Sequence, residues 1–347
     1  MPSRYDVSRD QLADLLGNEP SYRVGQVWEG LYTQCRELSE LTNVPASLRE
    51  WLAAELPEAL VPVTKTSSDD GMTTKWLWEL TGGTRVETVL MHYRDRSTVC
   101  VSSQAGCAMA CSFCATGQAG FERHLSVGEI VEQVVRARMA ASPHRLSNVV
   151  FMGMGEPLAN YDATWQAIER IHGDVGISAR HLTVSTVGLV PGIRRLASET
   201  LPVNLAVSLH LADDQRRDQL VPINRRYPLA VLAEACHEYL EAKGRRLSFE
   251  WALIDGVNDS DLDAHQLADF VRPLRGHVNL IPLNPTPGYP TMGTPPARVR
   301  AFRDLLRSLG VNATVRQNRG TDIDAACGQL RASNESNVKL SVSGPGR

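Results

Sequence analysis

From Arg85 onward the chain alternates short apolar runs of strand character with amphipathic stretches of helical period, and this alternation restricts the fold more than any other feature. The apolar runs cover 98–103, 148–152, 182–186, 203–209, 247–254 and 278–282, and the amphipathic stretches cover 127–141, 162–171, 229–242, 261–272 and 296–309. Ser126 followed by Glu129 is a capping box that opens the first of these helices. Strands separated by helices pair in parallel, because a parallel pair needs a long crossover. The expected fold class is therefore α/β, with six such units curving into an open or partial barrel and a doubly wound sheet as the alternative. In both, ligands gather at the carboxyl ends of the strands.

The region before Glu79 reads differently, as short amphipathic helices broken by Gly17, Pro20, Pro45, Pro57 and Pro62, with Trp28, Trp51 and Trp76 available to pack between them. The expected organisation is a helical accessory domain over 1–80, the barrel with a C-terminal segment over 85–330, and a disordered Ser-, Asn- and Gly-rich tail over 331–347. A chain of 347 residues with 43% hydrophobic content is long enough for one large core and a small satellite domain. No stretch reaches the roughly 20 apolar residues of a membrane span, and the first residues lack an export signal's apolar run. A cytoplasmic protein with no membrane partner is expected.

The net charge of -3 and pI near 6.3 argue mildly against a nucleic-acid partner, which usually selects a basic surface. Local basic groups soften the objection: Arg216 and Arg217, Arg225 and Arg226, Lys243 with Arg245 and Arg246, and Arg298, Arg300, Arg303 and Arg307. Such runs are commonly solvated helix faces; phosphate contact is the functional alternative, expected at Arg216–Arg226 and Lys243–Arg246 together with the helical domain.

The 7 cysteines are an odd number, and three of them, Cys107, Cys111 and Cys114, crowd one loop after the first strand of the alternating region. Metal or redox chemistry fits this better than a disulfide framework. Three soft thiolates suit zinc or an iron-sulfur cluster, and a closed zinc site would want a fourth ligand, for which His124 is the nearest candidate. The C-x-x-x-C-x-x-C spacing, with Phe113 before the last Cys, resembles the signature of the radical S-adenosylmethionine (SAM) superfamily. That resemblance implies a partial (β/α)6 radical-SAM barrel with a [4Fe-4S] cluster on the three cysteines and SAM chelated at the open iron.

After the second strand, Met152-Gly153-Met154-Gly155-Glu156-Pro157 resembles the motif that contacts the amino group of SAM, which assigns Gly155 and Glu156 to that contact. Ser185, the run Ser208-Leu209-His210, and Asn284 stand at later strand ends, and the resemblance assigns them the ribose, carboxylate and adenine edges of SAM. Such polar residues are otherwise routine helix caps.

Two further cysteines narrow the likeness. Cys100, in Thr98-Val99-Cys100-Val101-Ser102-Ser103-Gln104, and Cys327, in Arg319-Gly320-Thr321-Asp322-Ile323-Asp324-Ala325-Ala326-Cys327-Gly328, closely resemble the RlmN family over 87–330. That family methylates carbon 2 of an adenosine in 23S ribosomal RNA and, in many members, of an adenosine in certain transfer RNAs. Carbon 2 lies between two ring nitrogens and is too electron-poor to attack a methyl group, so a radical must add to it. The resemblance implies two SAM molecules per turnover: the first methylates Cys327, and the radical from the second removes hydrogen from that methyl group. The carbon radical joins the base, Glu87 takes the proton from carbon 2, and Cys100 attacks the sulfur of Cys327 to free the product as a disulfide forms. It also implies an electron donor such as flavodoxin or ferredoxin, and a monomer needs no partner subunit. Cys35 and Cys236 match no motif and read as small buried residues. Three other readings stand beside this one: a Cfr-like enzyme acting on carbon 8, disfavoured by the Arg319-Gly320 pair and the long N-terminal part; a radical enzyme for a small molecule; and an RNA-binding iron-sulfur protein without turnover.

Overall fold

A computed structural model describes residues 2–286, 289, 291–316 and 319–332. Most of the tail expected to be disordered lies outside those residues. Three short helices come first, α1 (Arg9–Leu15), α2 (Tyr22–Trp28) and α3 (Ala46–Glu55), followed by strands β1 (Val61–Ser67), β2 (Thr73–Glu79), β3 (Arg85–His92) and β4 (Ser97–Cys100). The small hairpin β5 (Gln104–Gly106) and β6 (Phe121–His124) encloses α4 (Ala115–Ala119). Then α5 (Val127–Ala141), β7 (Leu146–Phe151), α6 (Tyr161–Gly173), β8 (Leu182–Thr186), α7 (Val190–Ser198), β9 (Asn204–Ser208), α8 (Asp214–Leu220) and α9 (Leu229–Lys243) alternate. The chain continues through β10 (Ser248–Leu253), α10 (Asp261–Val271), β11 (His277–Pro282), α11 (Pro296–Ser308) and β12 (Asn312–Val315).

One ten-stranded sheet runs in the order β1-β2-β3-β4-β7-β8-β9-β10-β11-β12. Strands β4 and β7 to β12 are parallel, and β1 to β4 pair antiparallel. The sheet is open, since β1 and β12 end it. The expected α/β alternation is there, extended by a seventh parallel strand, β12, whose four residues include polar Asn312 and Thr314. The capping box at Ser126 and Glu129 forms in both directions, 3.2 Å and 2.8 Å.

The expectation of helices as far as Glu79 needs correction, because Val61–Ser67 and Thr73–Glu79 are strands. Trp76 and Trp78 are both buried, stacked with centroids 6.0 Å apart, and Trp78 donates to Thr88 on the next strand. Aromatics and threonines in such a run suit a half-buried strand better than a helix.

The helices before β1 share one core with the barrel helices. Asp6 accepts from the backbone of Gly128 at the start of α5, Glu132 accepts from the backbone of Ala59, and Trp28 donates to Asp174 beyond α6. Arg136 joins Glu37, Glu58 and Glu132, which neutralises the carboxylate of fully buried Glu132.

After β12 the chain crosses the open side of the sheet and ties to its far edge. Arg319 donates to the carbonyl of His92, Asp322 accepts from the backbone of Asp69, and Lys75 donates to the carbonyl of Asp324. This crossing carries Cys327 over the carboxyl ends of the strands.

Candidate active site

The loop after β4 is shaped by backbone that few residues can adopt. Gly106 has φ of 72°, and a side chain there would lie 2.0 Å from the carbonyl oxygen of Gly120; Ala110 stands at φ 53°. Cys107 N–H donates to that same Gly120 carbonyl at 2.7 Å, and Cys114 N–H to Cys111 at 3.2 Å. The result is a compact loop with all three cysteines on the wall of one cavity. Burial pushes the Cys107 thiol up to about 12 and Cys111 well above its ordinary value, with the neighbouring thiols adding to both. A site that disfavours the thiolates of Cys107 and Cys111 when apart from a cation is suited to a metal centre that supplies the positive charge.

Among the described residues, no three His, Cys, Asp or Glu side chains converge on a position fit for a single ion. His124, the possible fourth zinc ligand, is exposed on β6, turned to Gln104 at 3.0 Å and against the edge of Phe121, and it does not line the cavity. Three thiols that bind separate irons of one cluster need no such convergence, so the donor set fits an iron-sulfur cluster with one open iron rather than closed zinc.

The rest of this cavity comes from strand ends. Gly153 and Gly155 pass so close to Val101 and Gln104 that a side chain on either would fall 2.7 Å and 2.5 Å from its neighbour. Glu156, next to them, is buried; its carboxylate accepts from Leu158 and Val187 N–H at 3.1 Å and 3.0 Å. Burial outweighs those bonds and pushes Glu156 up to about 7. Among the described residues no cationic side chain pairs with it, so a ligand ammonium would supply the missing charge.

Ser185, Ser208, His210 and Asn284 line the same cavity. His210 sits at φ 61°, receives Ala252 N–H on Nδ1 at 3.0 Å, and is held down to about 3 by burial and by Arg217. It is neutral at any working pH, and since Nδ1 accepts, Nε2 carries the proton. Leu209 has its side chain in the core, while its N–H donates to the Glu250 carbonyl and its own carbonyl accepts from Arg217.

Arg217 is fully buried and reaches the carbonyls of Leu209, Ser208 and Val187 and the side chain of Asn224. It knits the ends of β8 and β9 together and cannot meet a phosphate. Arg216 pairs with Asp263, Lys243 meets the carbonyl of Glu199, and Arg245 bonds Asn204 at the amino ends of the strands, away from the site. Of that set Arg225, Arg226 and Arg246 remain exposed, Arg246 lying 2.8 Å from the ring of His277.

The C-terminal segment closes the cavity from above. Gly328 accepts from Ala115 N–H, Leu330 from the hydroxyl of Thr116, and Asn284 donates to the carbonyl of Cys327 at 3.2 Å. Cys327 thereby stands on a wall shared with a second cavity, which Cys100 also lines. Its surface is accessible because it faces open cavity space, yet protein surrounds it, and desolvation raises its thiol while Arg316 lowers it. Cys100 is pushed up to about 12 by burial and by the adjacent Cys327. Arg316 lines both cavities and is itself held by Glu250 at 3.4 Å; neither residue carried a sequence signal, Glu250 being a single charge within an apolar strand and Arg316 one charge in a polar stretch.

Glu87 is not with them. It is buried outside both cavities, 2.9 Å from Lys75, and accepts from the backbone of Arg331 and Ala332 at 2.9 Å and 3.3 Å. Cys35 and Cys236 are buried in the core, as expected.

The profile of the Radical SAM superfamily matches residues 101–268. A probable dual-specificity RNA methyltransferase RlmN of Frankia alni is 52% identical over 95% of this chain and 84% of its own length. Its counterpart in Chloroflexus aurantiacus is 49% identical over 94% of this chain and 92% of its own. The crystal structure of a radical SAM methyltransferase from Sphaerobacter thermophilus, 49% identical, superposes with a TM-score of 0.93 over 96% of this chain and all of that one. The chain belongs to the RlmN family of radical SAM RNA methyltransferases, enzymes that work with a [4Fe-4S] cluster and SAM on an RNA adenine.

Proposed function

We propose that this protein methylates carbon 2 of an adenosine in 23S ribosomal RNA, and of an adenosine in transfer RNA, through a methyl group carried on Cys327. The observation that supports this most is the position of Cys327 on the wall common to two cavities, with Cys107, Cys111 and Cys114 on one side and Cys100 on the other. When bound, the cluster on those three cysteines and SAM supply the methyl group and the one-electron chemistry. Glu156 and Gly155 receive the ammonium end of SAM; Ser185, Ser208, His210, Asn284 and the backbone of Leu209 receive the remainder.

Within the second cavity, the carbon borne by Cys327 meets the extruded base. The Cys100 thiolate then attacks the Cys327 sulfur: an S–S bond forms, the C–S bond to the product breaks, and an external thiol later reduces the disulfide. Glu87 is assigned the carbon-2 proton, which requires Arg331 and Ala332 to lift from its carboxylate. Residues 1–80 act as an accessory RNA-binding domain to the barrel of 85–330. The enzyme works as a monomer in the cytoplasm, with flavodoxin or ferredoxin as electron donor; among the described residues no helix is long and apolar enough to cross a membrane.

Replacing Cys100 with Ala tests this reading. The variant should accumulate a covalent protein–RNA adduct, seen as a slower, ribonuclease-sensitive band, and a normal yield of free methylated RNA would refute the resolving role.

A further inference from the structure

The cysteines occupy one end of the second cavity, and the chemistry leaves its other end unused. Val89, Met91 and Tyr93 line it in alternation along and just beyond β3. Val89 pairs with Cys100 in the sheet, and the Tyr93 backbone closes the following turn by donating to Arg96 at 2.8 Å. From Val89 to Tyr93 the extended chain spans about 13 Å. That is long enough for a whole nucleotide whose base points inward to Cys100 and Cys327.

At the outer end, the guanidinium groups of Arg96 and Arg319 both lie over the ring of Tyr93, with Cζ 4.7 Å and 4.6 Å from its centroid. Arg96 is exposed, and Tyr93 and Arg319 are half-buried. Arg319 Nη1 donates to the carbonyl of His92, which orients the guanidinium and leaves its other N–H groups for a phosphate, and it lies near exposed Asp70. The carboxylate facing Arg96 is that of its exposed neighbour Asp95 at 3.3 Å. Neither is a buried pair, so both cations keep the capacity to bind an anion. Farther in, Arg316 is held by Glu250 and belongs to the Cys327 end.

We propose that Tyr93, Arg96 and Arg319 form the RNA rim of this cavity: the two guanidinium groups take phosphates flanking the extruded adenosine, and the Tyr93 ring stacks the adjoining base. This rests on the reading of the second cavity as the adenine site. Planar guanidinium groups match phosphate oxygens two at a time, and an aromatic ring accepts any unstacked base. The placement also answers the acidic overall charge, because a local pair of cations at the cavity mouth can bind phosphate without a basic protein surface. The Arg216–Arg217 and Lys243–Arg246 groups, engaged or remote as they are, do not serve here.

The experiment measures RNA methylation at varied RNA concentration, and RNA binding at varied salt, for reconstituted wild-type enzyme and for Arg96→Gln, Arg319→Gln, Arg319→Lys and Tyr93→Ala. Arg96→Gln, at an exposed position, should raise KM for RNA about tenfold with the loss in KM rather than kcat, and should lower the salt slope of binding by about 0.7 to 0.9. Arg319→Gln should do the same and Arg319→Lys should restore the salt slope, which a merely structural anchor would not do. Tyr93→Ala should weaken binding about tenfold with the salt slope kept. Wild-type KM and slope in Arg96→Gln and Arg319→Gln, beside an active wild type, would overturn the rim. A wild-type enzyme that leaves RNA unmethylated would instead overturn the adenine-site reading.

Discussion

Gln133, buried on α5, makes the chemistry depend on a residue that touches none of the reactants. Its Oε1 accepts from Ser102 N–H and from Thr88 Oγ, each at 2.8 Å, and its Nε2 donates to the carbonyls of Ser102 and Glu129 at 3.0 Å and 3.1 Å. Ser102 lies between Cys100 and Cys107; its hydroxyl donates to the Glu87 carbonyl at 2.6 Å and accepts Met154 N–H at 2.9 Å. One amide therefore clamps β3, the cluster loop and the Gly-Glu-Pro turn. Gln133→Leu keeps similar bulk but leaves the buried N–H and C=O of Ser102 without this partner, at about 1–3 kcal/mol each. The expected loss is about 2–5 kcal/mol after the added apolar contact, or a urea midpoint lower by roughly 1 M at the slope of a chain this long. Equilibrium unfolding of the metal-free protein measures it, and iron per chain after reconstitution should fall as well. A midpoint within about 0.2 M of wild type, with full iron content, would refute the clamp.

Other expectations concern the ligands of the first cavity. The ionised form of Glu156 attracts an ammonium group, and because burial raises this carboxyl to about 7, protonation on acidification removes the attraction. SAM affinity should therefore fall about tenfold per pH unit below 7 and level off above it; calorimetry that shows no change between pH 6 and 8 would contradict this. Glu156→Gln should abolish that pH dependence and weaken binding by at least about tenfold. Removing the cation in Arg316→Met should raise the Cys327 thiol further and move methyl loading of Cys327 to higher pH, with roughly tenfold slower loading at pH 7. Mass spectrometry of the Cys327 peptide follows it, and an unshifted profile would exclude Arg316 from that role.

The parallel strands were legible because strands covered on both faces read as continuous apolar runs, as Val203–Leu209 and Leu247–Ile254 do. Strands β1 and β2 were not, since β1 is almost wholly exposed and the tryptophans of β2 look equally like packing between helices. The cluster loop was legible through spacing, because ligands from one loop are close in sequence. Sequence reasoning could bring Cys100 and Cys327 together only by family resemblance, for they stand 227 positions apart and only the crossing after β12 makes them neighbours. Arg217 was misread for the same reason: an Arg-Arg pair looks like surface until its acceptors, supplied by Val187, Ser208, Leu209 and Asn224, are seen around it. Glu87, given the carbon-2 proton by resemblance, also holds the C-terminal segment, a contact that no sequence signal announced.

The most direct measurement is made on anaerobically reconstituted enzyme incubated with reductant, SAM and unmodified 23S ribosomal RNA, with the nucleosides then identified by mass spectrometry. The account predicts 2-methyladenosine together with 5'-deoxyadenosine; 8-methyladenosine in its place, or 5'-deoxyadenosine with no methylated adenosine in either ribosomal or transfer RNA, would contradict it.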